Sequence, residues 1–251
     1  MNIIEKLGWR YATKKFNSGV NLSDSKMDIL KQAIQFAPTS YGLQPFQVVF
    51  VKNPEIREKL KAASWGQSQI TDSSIIAVFT RKKEVNESEV DLFIENIMST
   101  RGVPKELLIQ YEAMMKGTIK SLDDNQKSSW IDKQIYIALG FLLNTAAVID
   151  VDTCPMEGFD RTQYDEILGL TDTTSVVVCA LGYRDETDEY QNYKKEKEYY
   201  DPYAIWFFNK VKEKMPSISK GGEPKISNFF NKYGLSGKKV NENIERIKKL
   251  L

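Results

Sequence analysis

The sequence predicts an α+β fold, and two observations lead to that prediction. Three short apolar runs rich in valine and isoleucine are typical of buried strands, at residues 46–51, 74–80 and 175–184. Long helical patterns lie between these runs at uneven spacing, which does not suit a regular series of strand, helix and parallel strand. With 251 residues, 41% of them hydrophobic, the chain is long enough to bury a sizeable core.

The first clear helix begins near Ser23, whose hydroxyl suits an N-cap. Met27, Leu30 and Ile34 follow at helical spacing. Pro38 then ends the helix, because a residue before proline is pushed out of the helical conformation. The pattern predicts a helix that buries one face and stops just before a polar connector.

Helical patterns also dominate the middle of the chain. One begins at Asn53, one closes at Gly102, and another covers residues 104–120. The longest runs from about residue 128 to 149 and is apolar on most sides, which indicates a buried central helix. The stretch CPMEGFD, at 154–160, predicts a loop because it contains proline and glycine.

The character of the chain changes after Glu186, where charged and aromatic residues alternate. Further helical patterns follow, joined by the linker PSISKGGEPK. We therefore predict a main domain over residues 1–200 and a helical C-terminal extension over residues 201–251.

Composition excludes several kinds of chemistry. The chain has no histidine, which rules out histidine-based triads and histidine-ligated zinc, and its two cysteines are too few for a disulfide framework. No metal site is expected. The net charge of +1 favours neither nucleic acid nor an acidic membrane as a partner. No signal peptide or membrane span is recognisable, so we expect a cytoplasmic protein.

No nucleotide-binding or hydrolase motif is present. The sequence lacks GxGxxG after a strand, GxxxxGK[ST] and GxSxG. Its acidic residues are scattered, and no pair stands out as an acid and base. If the chain is an enzyme, a bound cofactor is expected to carry the chemistry.

Two basic stretches have the chemistry to bind a phosphate. WRYATKKF places Arg10, Lys14 and Lys15 close together in a turn with free backbone N–H groups. YKKEK places Lys195 and Lys197 on the same side of an extended segment. Each stretch is equally compatible with a solvated surface.

Two further stretches combine polar groups with glycine. PTSYGLQP offers hydroxyl groups at Thr39 and Ser40 and an amide at Gln44. PMEGFD presents backbone N–H groups around a glycine. The alternatives are a plain helix-to-strand connector and a turn before a helix. None of the four stretches is specific by itself.

Together and in this order, these stretches resemble the FMN-dependent nitroreductase family, close to its oxygen-insensitive NAD(P)H nitroreductases and its dihydropteridine-reductase-like members. The resemblance covers roughly residues 1–200 and rests on RYATKKF, APTSYGLQPF, AASWGQSQITDSS, W…KQIYIALGFLL, PMEGFD and LGYRDETDEY. It implies a nitroreductase-like α+β fold with a central, mostly antiparallel sheet flanked by helices. It also implies an intertwined homodimer with FMN at the subunit interface, while this chain adds an extra helical C-terminal tail.

The resemblance also implies a set of FMN contacts. The first stretch would hold the ribityl phosphate and the pyrimidine edge, and the basic pair after the last strand would complete the phosphate site. Backbone N–H groups in PMEGFD would face flavin N5 and O4, and the polar connector would come from the other subunit. The implied cofactor-binding residues are Arg10, Tyr11, Ala12, Lys14, Pro38, Thr39, Ser40, Gly42, Gln69, Gln134, Pro155, Met156, Glu157, Gly158, Lys195 and Lys197. Tyr41 would border the substrate.

The sequence departs from the family pattern in the stretch WGQSQI. Gly66 and Gln69 stand where many relatives have asparagine and lysine. A lysine stabilises the negative charge of reduced flavin near N1 and O2 more than a glutamine does. We therefore expect a less oxidising flavin than in relatives with two lysines.

The implied activity is ping-pong hydride transfer through flavin N5, from NADH or NADPH to nitroaromatics, quinones or related acceptors. No catalytic side chain is expected, because the chemistry takes place on the cofactor. Two alternatives remain open: a flavin-binding or regulatory protein with little turnover, and a flavin-free α+β interaction protein.

Overall fold

A computed structural model describes residues 2–193 of the chain. Within that range, helices and strands alternate unevenly, and three short 3₁₀ turns join them. The helices are α1 (Ile3–Trp9), α2 (Asp24–Gln35), α3 (Pro54–Ala62), α4 (Gln69–Asp72), α5 (Glu87–Arg101), α6 (Ile109–Ser121), α7 (Asp124–Val148) and α8 (Arg161–Leu168). The strands are β1 (Phe46–Val51), β2 (Ile75–Lys82), β3 (Asp152–Met156) and β4 (Thr173–Gly182). The 3₁₀ turns are Ser40–Gly42, Lys105–Leu107 and Glu189–Asn192.

The four strands form one sheet in the order β1-β2-β4-β3, and every neighbouring pair is antiparallel. The central register pairs Val49 with Val78, and Val78 with Val178. Helices cover both faces of this sheet, so β2 and β4 are apolar along nearly their whole length. The predicted α+β fold with a central antiparallel sheet flanked by helices is confirmed.

Two hydrophobic clusters pack on the two faces of the sheet. Ala77 and Phe79 of β2 face the larger cluster, which includes the buried side of α7. Ile76 and Val78 face the smaller cluster, which includes residues of α3 and α8. The alternation follows from the period of two in a strand, and it places α7 directly against the sheet.

Side-chain caps fix where the helices begin. Ser23 accepts a hydrogen bond from the backbone N–H of Lys26, as its N-cap position predicts. α7 begins earlier than its apolar pattern indicates, because Asp123 and Gln126 form a capping box ahead of the apolar part. None of the helices within residues 2–193 is long and apolar enough to cross a membrane.

The prediction of a loop over residues 154–160 is wrong for its first half, which belongs to β3. β3 is an edge strand, and Thr13 N–H donates to the outward-facing oxygen of Thr153 at 3.1 Å. Pro155, two residues on, points its nitrogen to the same outer side, where no ladder hydrogen bond is needed. Proline is therefore tolerated inside this strand.

Candidate functional site

The stretch after α1 runs along the outer edge of β3. Ala12 forms a parallel bridge with Thr153, which fixes the stretch beside the strand. This places the predicted phosphate-binding residues along the edge of β3, which contains Pro155 and Met156 and leads into Glu157 and Gly158. We call this group the edge cluster; its members are Arg10, Tyr11, Ala12, Lys14, Pro155, Met156, Glu157 and Gly158.

The edge cluster holds two cations that no carboxylate of residues 2–193 neutralises. Within residues 2–193, neither Arg10 nor Lys14 has a carboxylate oxygen within 4.0 Å, and Arg10 Nε is buried without a hydrogen-bond partner. The neighbouring Arg184 differs, since its Nε lies 2.8 Å from Oδ1 of the buried Asp152. Arg10 and Lys14 therefore offer positive charge to an external anion.

Two backbone N–H groups of the same turn, those of Lys14 and Lys15, are not free, which corrects one expectation from the sequence. Lys14 and Lys15 donate their N–H groups to Oδ2 of Asp188, at 2.8 and 3.1 Å. Asp188 also accepts from the hydroxyl of Tyr11 at 2.9 Å. An anion at this turn would be bound by side chains, because an internal carboxylate already occupies these backbone donors.

The thiol of Cys154 is influenced by the charges of both cations. Burial raises the pKa of its thiol, and the positive charges of Lys14 and Arg10 partly oppose that rise. Burial likewise raises the pKa of Cys179. Both cysteines are buried free thiols.

The turn after β3 is shaped by close contacts with the segment between α3 and α4. Gln67 Nε2 donates to the carbonyl of Gly158 at 2.8 Å. A Cβ on Gly158 would lie 2.7 Å from Cζ3 of Trp65, so any larger residue would require the Trp65 ring to shift. Trp65 itself has a φ of 54° and is 74% exposed. This exposed tryptophan is a feature of the candidate site that sequence reasoning did not single out.

Helix α7 contacts this turn through Tyr136, whose hydroxyl donates to Oε1 of Glu157 at 2.5 Å. Burial and the hydrogen bond to Glu157 raise the pKa of Tyr136 to about 12. The phenol therefore stays protonated at neutral pH and remains a donor to the carboxylate.

A second group of predicted residues forms around the connector between α2 and β1. We call it the loop cluster; its members are Pro38, Thr39, Ser40, Tyr41, Gly42 and Gln134. Ser40 N–H donates to Oε1 of Gln134 at 2.8 Å, and Gln134 Nε2 donates to the carbonyl of Trp130 at 2.9 Å. Gln134 is only 5% exposed. Its amide is thus oriented by the loop and by its own helix.

The loop cluster is also anchored on α6. Tyr41 has a φ of 59°, and Tyr111 donates its hydroxyl to the Tyr41 carbonyl at 2.9 Å. The Tyr41 hydroxyl lies 3.1 Å from that of Thr118. Gly42 has a φ of 77°, and a Cβ there would lie 3.3 Å from Phe93. The ring of Tyr41 thus packs against helix α6, while its predicted role beside a substrate stays a prediction.

The two clusters lie on different sides of α7. Gln134 contacts the loop cluster, and Tyr136 contacts the edge cluster. Side chains two residues apart on an α-helix diverge by about 200°. Within one chain, the polar loop and the cationic edge are therefore separated by the helix.

Gln69 and the pair Lys195 and Lys197 belong to neither cluster. Gln69 is the first residue of α4 and is 9% exposed. The buried Arg57 fixes this short helix by donating from Nε to the carbonyl of Ile70 at 2.8 Å. Lys195 and Lys197, like the predicted C-terminal extension, lie outside the described residues.

The fold and these clusters define an α+β protein with an antiparallel sheet and a cationic sheet edge. A family model described as the Nitroreductase family matches residues 7–183. The chain therefore belongs to the nitroreductase family, as the sequence resemblance predicts.

Known proteins agree with this assignment. A protein of Staphylococcus saprophyticus, provisionally named an NAD(P)H nitroreductase, is 34% identical over 202 residues, which cover 73% of this chain and 88% of that protein. A solved structure from Staphylococcus epidermidis, provisionally named an NAD(P)H:FMN oxidoreductase, gives a TM-score of 0.72 at 20% identity and covers 80% of this chain and 93% of its own. A nitroreductase from Exiguobacterium sibiricum, also provisionally named, was solved in complex with FMN. It gives a TM-score of 0.70 at 16% identity and covers 81% of this chain and 96% of its own.

Proposed function

We propose that this chain is an FMN-dependent oxidoreductase that takes electrons from NADH or NADPH and passes them to nitroaromatics, quinones or related acceptors. The observation that carries the proposal is the pair of cations, Arg10 and Lys14, in the stretch that runs along the outer edge of β3. Membership of the nitroreductase family, the names of the relatives and the FMN-bound structural neighbour support it.

The donor set fits FMN. The phosphate of FMN is an anion and needs cationic donors, which the side chains of Arg10 and Lys14 can provide. The N–H groups of Glu157 and Gly158 donate no hydrogen bond within residues 2–193, so they are available to acceptors such as flavin N5 and O4. Oγ1 of Thr39 is also buried without a partner there, which suits a loop that contacts a ligand.

We also propose that the site is shared between two subunits of a homodimer. One chain places its edge and loop clusters on different sides of α7, so the loop that completes an edge cluster would come from the second copy. Helix α7 exposes Tyr136, Ile137, Phe141 and Val148. Exposed apolar side chains on one helix favour contact with another protein surface.

In this proposal the chain itself performs binding and orientation. Bound FMN would supply hydride transfer at N5. Arg10 and Lys14 would hold its phosphate, while the backbone of Glu157 and Gly158 would orient the ring. Tyr136 would keep the Glu157 carboxylate away from the ring by holding it in a hydrogen bond. No side chain of this chain needs to act as an acid or base.

The visible spectrum of the purified protein tests the proposal. We expect flavin absorbance, which disappears when NADH or NADPH is added without oxygen and returns on addition of a quinone or nitroaromatic. A colourless protein that takes up no FMN would contradict the proposal. A flavin that binds but is reduced by neither nicotinamide would instead support a flavin-binding protein with little turnover.

A further inference from the structure

The carboxylate of Asp188 lies beside the first predicted phosphate-binding stretch, against Tyr11, Lys14 and Lys15. Asp188 is 1% exposed, yet within residues 2–193 no cationic side chain pairs with it. Its Oδ2 accepts hydrogen bonds from Tyr11 and from the backbone of Lys14 and Lys15. Its Oδ1 accepts from the backbone N–H of Tyr190 at 3.2 Å.

These four donors come from two distant parts of the sequence. Tyr11, Lys14 and Lys15 belong to the turn before the sheet, whereas Tyr190 belongs to the 3₁₀ turn Glu189–Asn192, just before Lys195 and Lys197. A buried carboxylate with several N–H and O–H donors holds them in one arrangement, since an unpaired buried donor is costly. Asp188 therefore joins the N-terminal turn to the segment that leads into the second basic stretch.

The protonation state of Asp188 agrees with this geometry. Burial raises the pKa of the carboxyl, but the N–H groups of Lys15 and Lys14 and the Tyr11 hydroxyl outweigh that effect and hold the pKa below its usual value. The group is ionised at neutral pH, as its four donors require.

We propose that Asp188 is the positioning residue of the FMN phosphate site: a negative internal group that fixes the turn bearing Arg10 and Lys14 so that an external phosphate meets both side chains. The inference rests on the proposed function. It assigns to an acidic residue a favourable effect on the binding of an anion.

A purely electrostatic role of Asp188 predicts the opposite change in FMN affinity. If Asp188 were only a negative charge near the phosphate, replacing it with a neutral residue would remove a repulsion and strengthen FMN binding. If Asp188 positions the turn, the same replacement weakens FMN binding. The sign of the change separates these two roles.

The test compares FMN with riboflavin, which lacks the phosphate, by titration of the apoprotein followed through flavin fluorescence. We expect Asp188→Asn to weaken FMN binding by about tenfold or more and riboflavin binding by less than about twofold. The matched control is Asp185→Asn, which removes the same charge nearby; Asp185 accepts hydrogen bonds only from Thr187 through its side chain within the described residues. We expect no change in the control.

Tyr11→Phe is a second variant in case Asp188→Asn does not fold, which thermal unfolding of the apoprotein would reveal. It removes one donor and keeps the carboxylate, so we expect a smaller loss, about three- to tenfold, for FMN alone. Tighter or unchanged FMN binding in these variants, or an equal loss for both flavins, would overturn the inference. A wild-type protein that does not prefer FMN to riboflavin would instead overturn the phosphate site itself.

Discussion

The edge cluster and the loop cluster differ in their charge and in the hydrogen bonds that hold their backbones. The edge cluster places unneutralised cations on a strand edge, and a buried carboxylate organises its backbone. The loop cluster carries no charged side chain, and its left-handed backbone at Tyr41 and Gly42 is held by hydrogen bonds to helices. The charges of the edge cluster suit a charged group of a ligand, whereas the fixed backbone of the loop cluster suits a ligand of matching shape.

The position of the two clusters on different sides of α7 explains why one chain presents only half of each proposed site. A helix has room for two clusters on different sides, but it keeps them apart. If a second copy supplies the missing half, changes in the edge cluster should affect phosphate recognition. Changes in the loop cluster should affect all flavins alike.

The largest expected effect is that of Arg10→Ala. Loss of a charge-assisted hydrogen bond should weaken FMN binding by about 10- to 100-fold. Combination with Lys195→Ala should weaken it further, if that lysine completes the site. The control is Lys52→Ala, which removes an exposed lysine paired with Asp24. FMN titration measures the effect, and unchanged affinity in both Arg10 variants would disprove the phosphate assignment.

A smaller effect is expected for Gln134→Leu in the loop cluster. The change leaves Ser40 N–H without its acceptor and should destabilise the protein by about 1–3 kcal/mol. It should weaken FMN and riboflavin binding to the same extent, unlike any change at Asp188. Thermal unfolding and titration with both flavins measure these effects. Gln110→Leu, an exposed helical position, is the control. A selective loss of FMN would contradict the division between the clusters.

The smallest expected effect is that of Gln69→Lys on the flavin potential. A second lysine near the flavin should favour the reduced, negatively charged form and raise the potential on the order of 30 mV, which corresponds to about 1.4 kcal/mol for two electrons. Potentiometric titration measures it, with Gln47→Lys on the exposed side of β1 as the control. An unchanged potential in Gln69→Lys would show that this position does not influence the ring, and a lower potential would contradict the expected effect of a second lysine.

Local signals predicted much of the fold. Caps such as Ser23 and Asn53 and the left-handed end at Gly102 fix helix boundaries within a few residues, and the sequence contains all of this information. β3 was not predicted because a proline inside a strand is tolerated only in places such as a sheet edge, so Pro155 indicated a loop. Whether a strand lies at the edge is known only once the sheet is assembled.

The candidate site was less predictable, because its contacts join distant parts of the chain. Family resemblance brings Arg10, Lys14 and Gly158 together, but nothing local marks Asp188, whose partners Tyr11 and Lys14 lie more than 170 positions away. Two backbone N–H groups that appeared free in the sequence, those of Lys14 and Lys15, are occupied by that residue. Only the folded arrangement reveals which donors remain for a ligand.

The most direct test of the shared site is a mixed dimer of two variants. One subunit carries Arg10→Ala and Lys14→Ala in its edge cluster, and the other carries Ser40→Phe, which blocks its loop cluster. Each variant alone should bind FMN poorly.

A heterodimer purified through two different tags would hold one site with both defects and one site with neither. We predict that it binds one FMN with wild-type affinity, measured by titration and by flavin absorbance per dimer. A heterodimer that binds no better than either parent would contradict a site built from the edge of one subunit and the loop of the other.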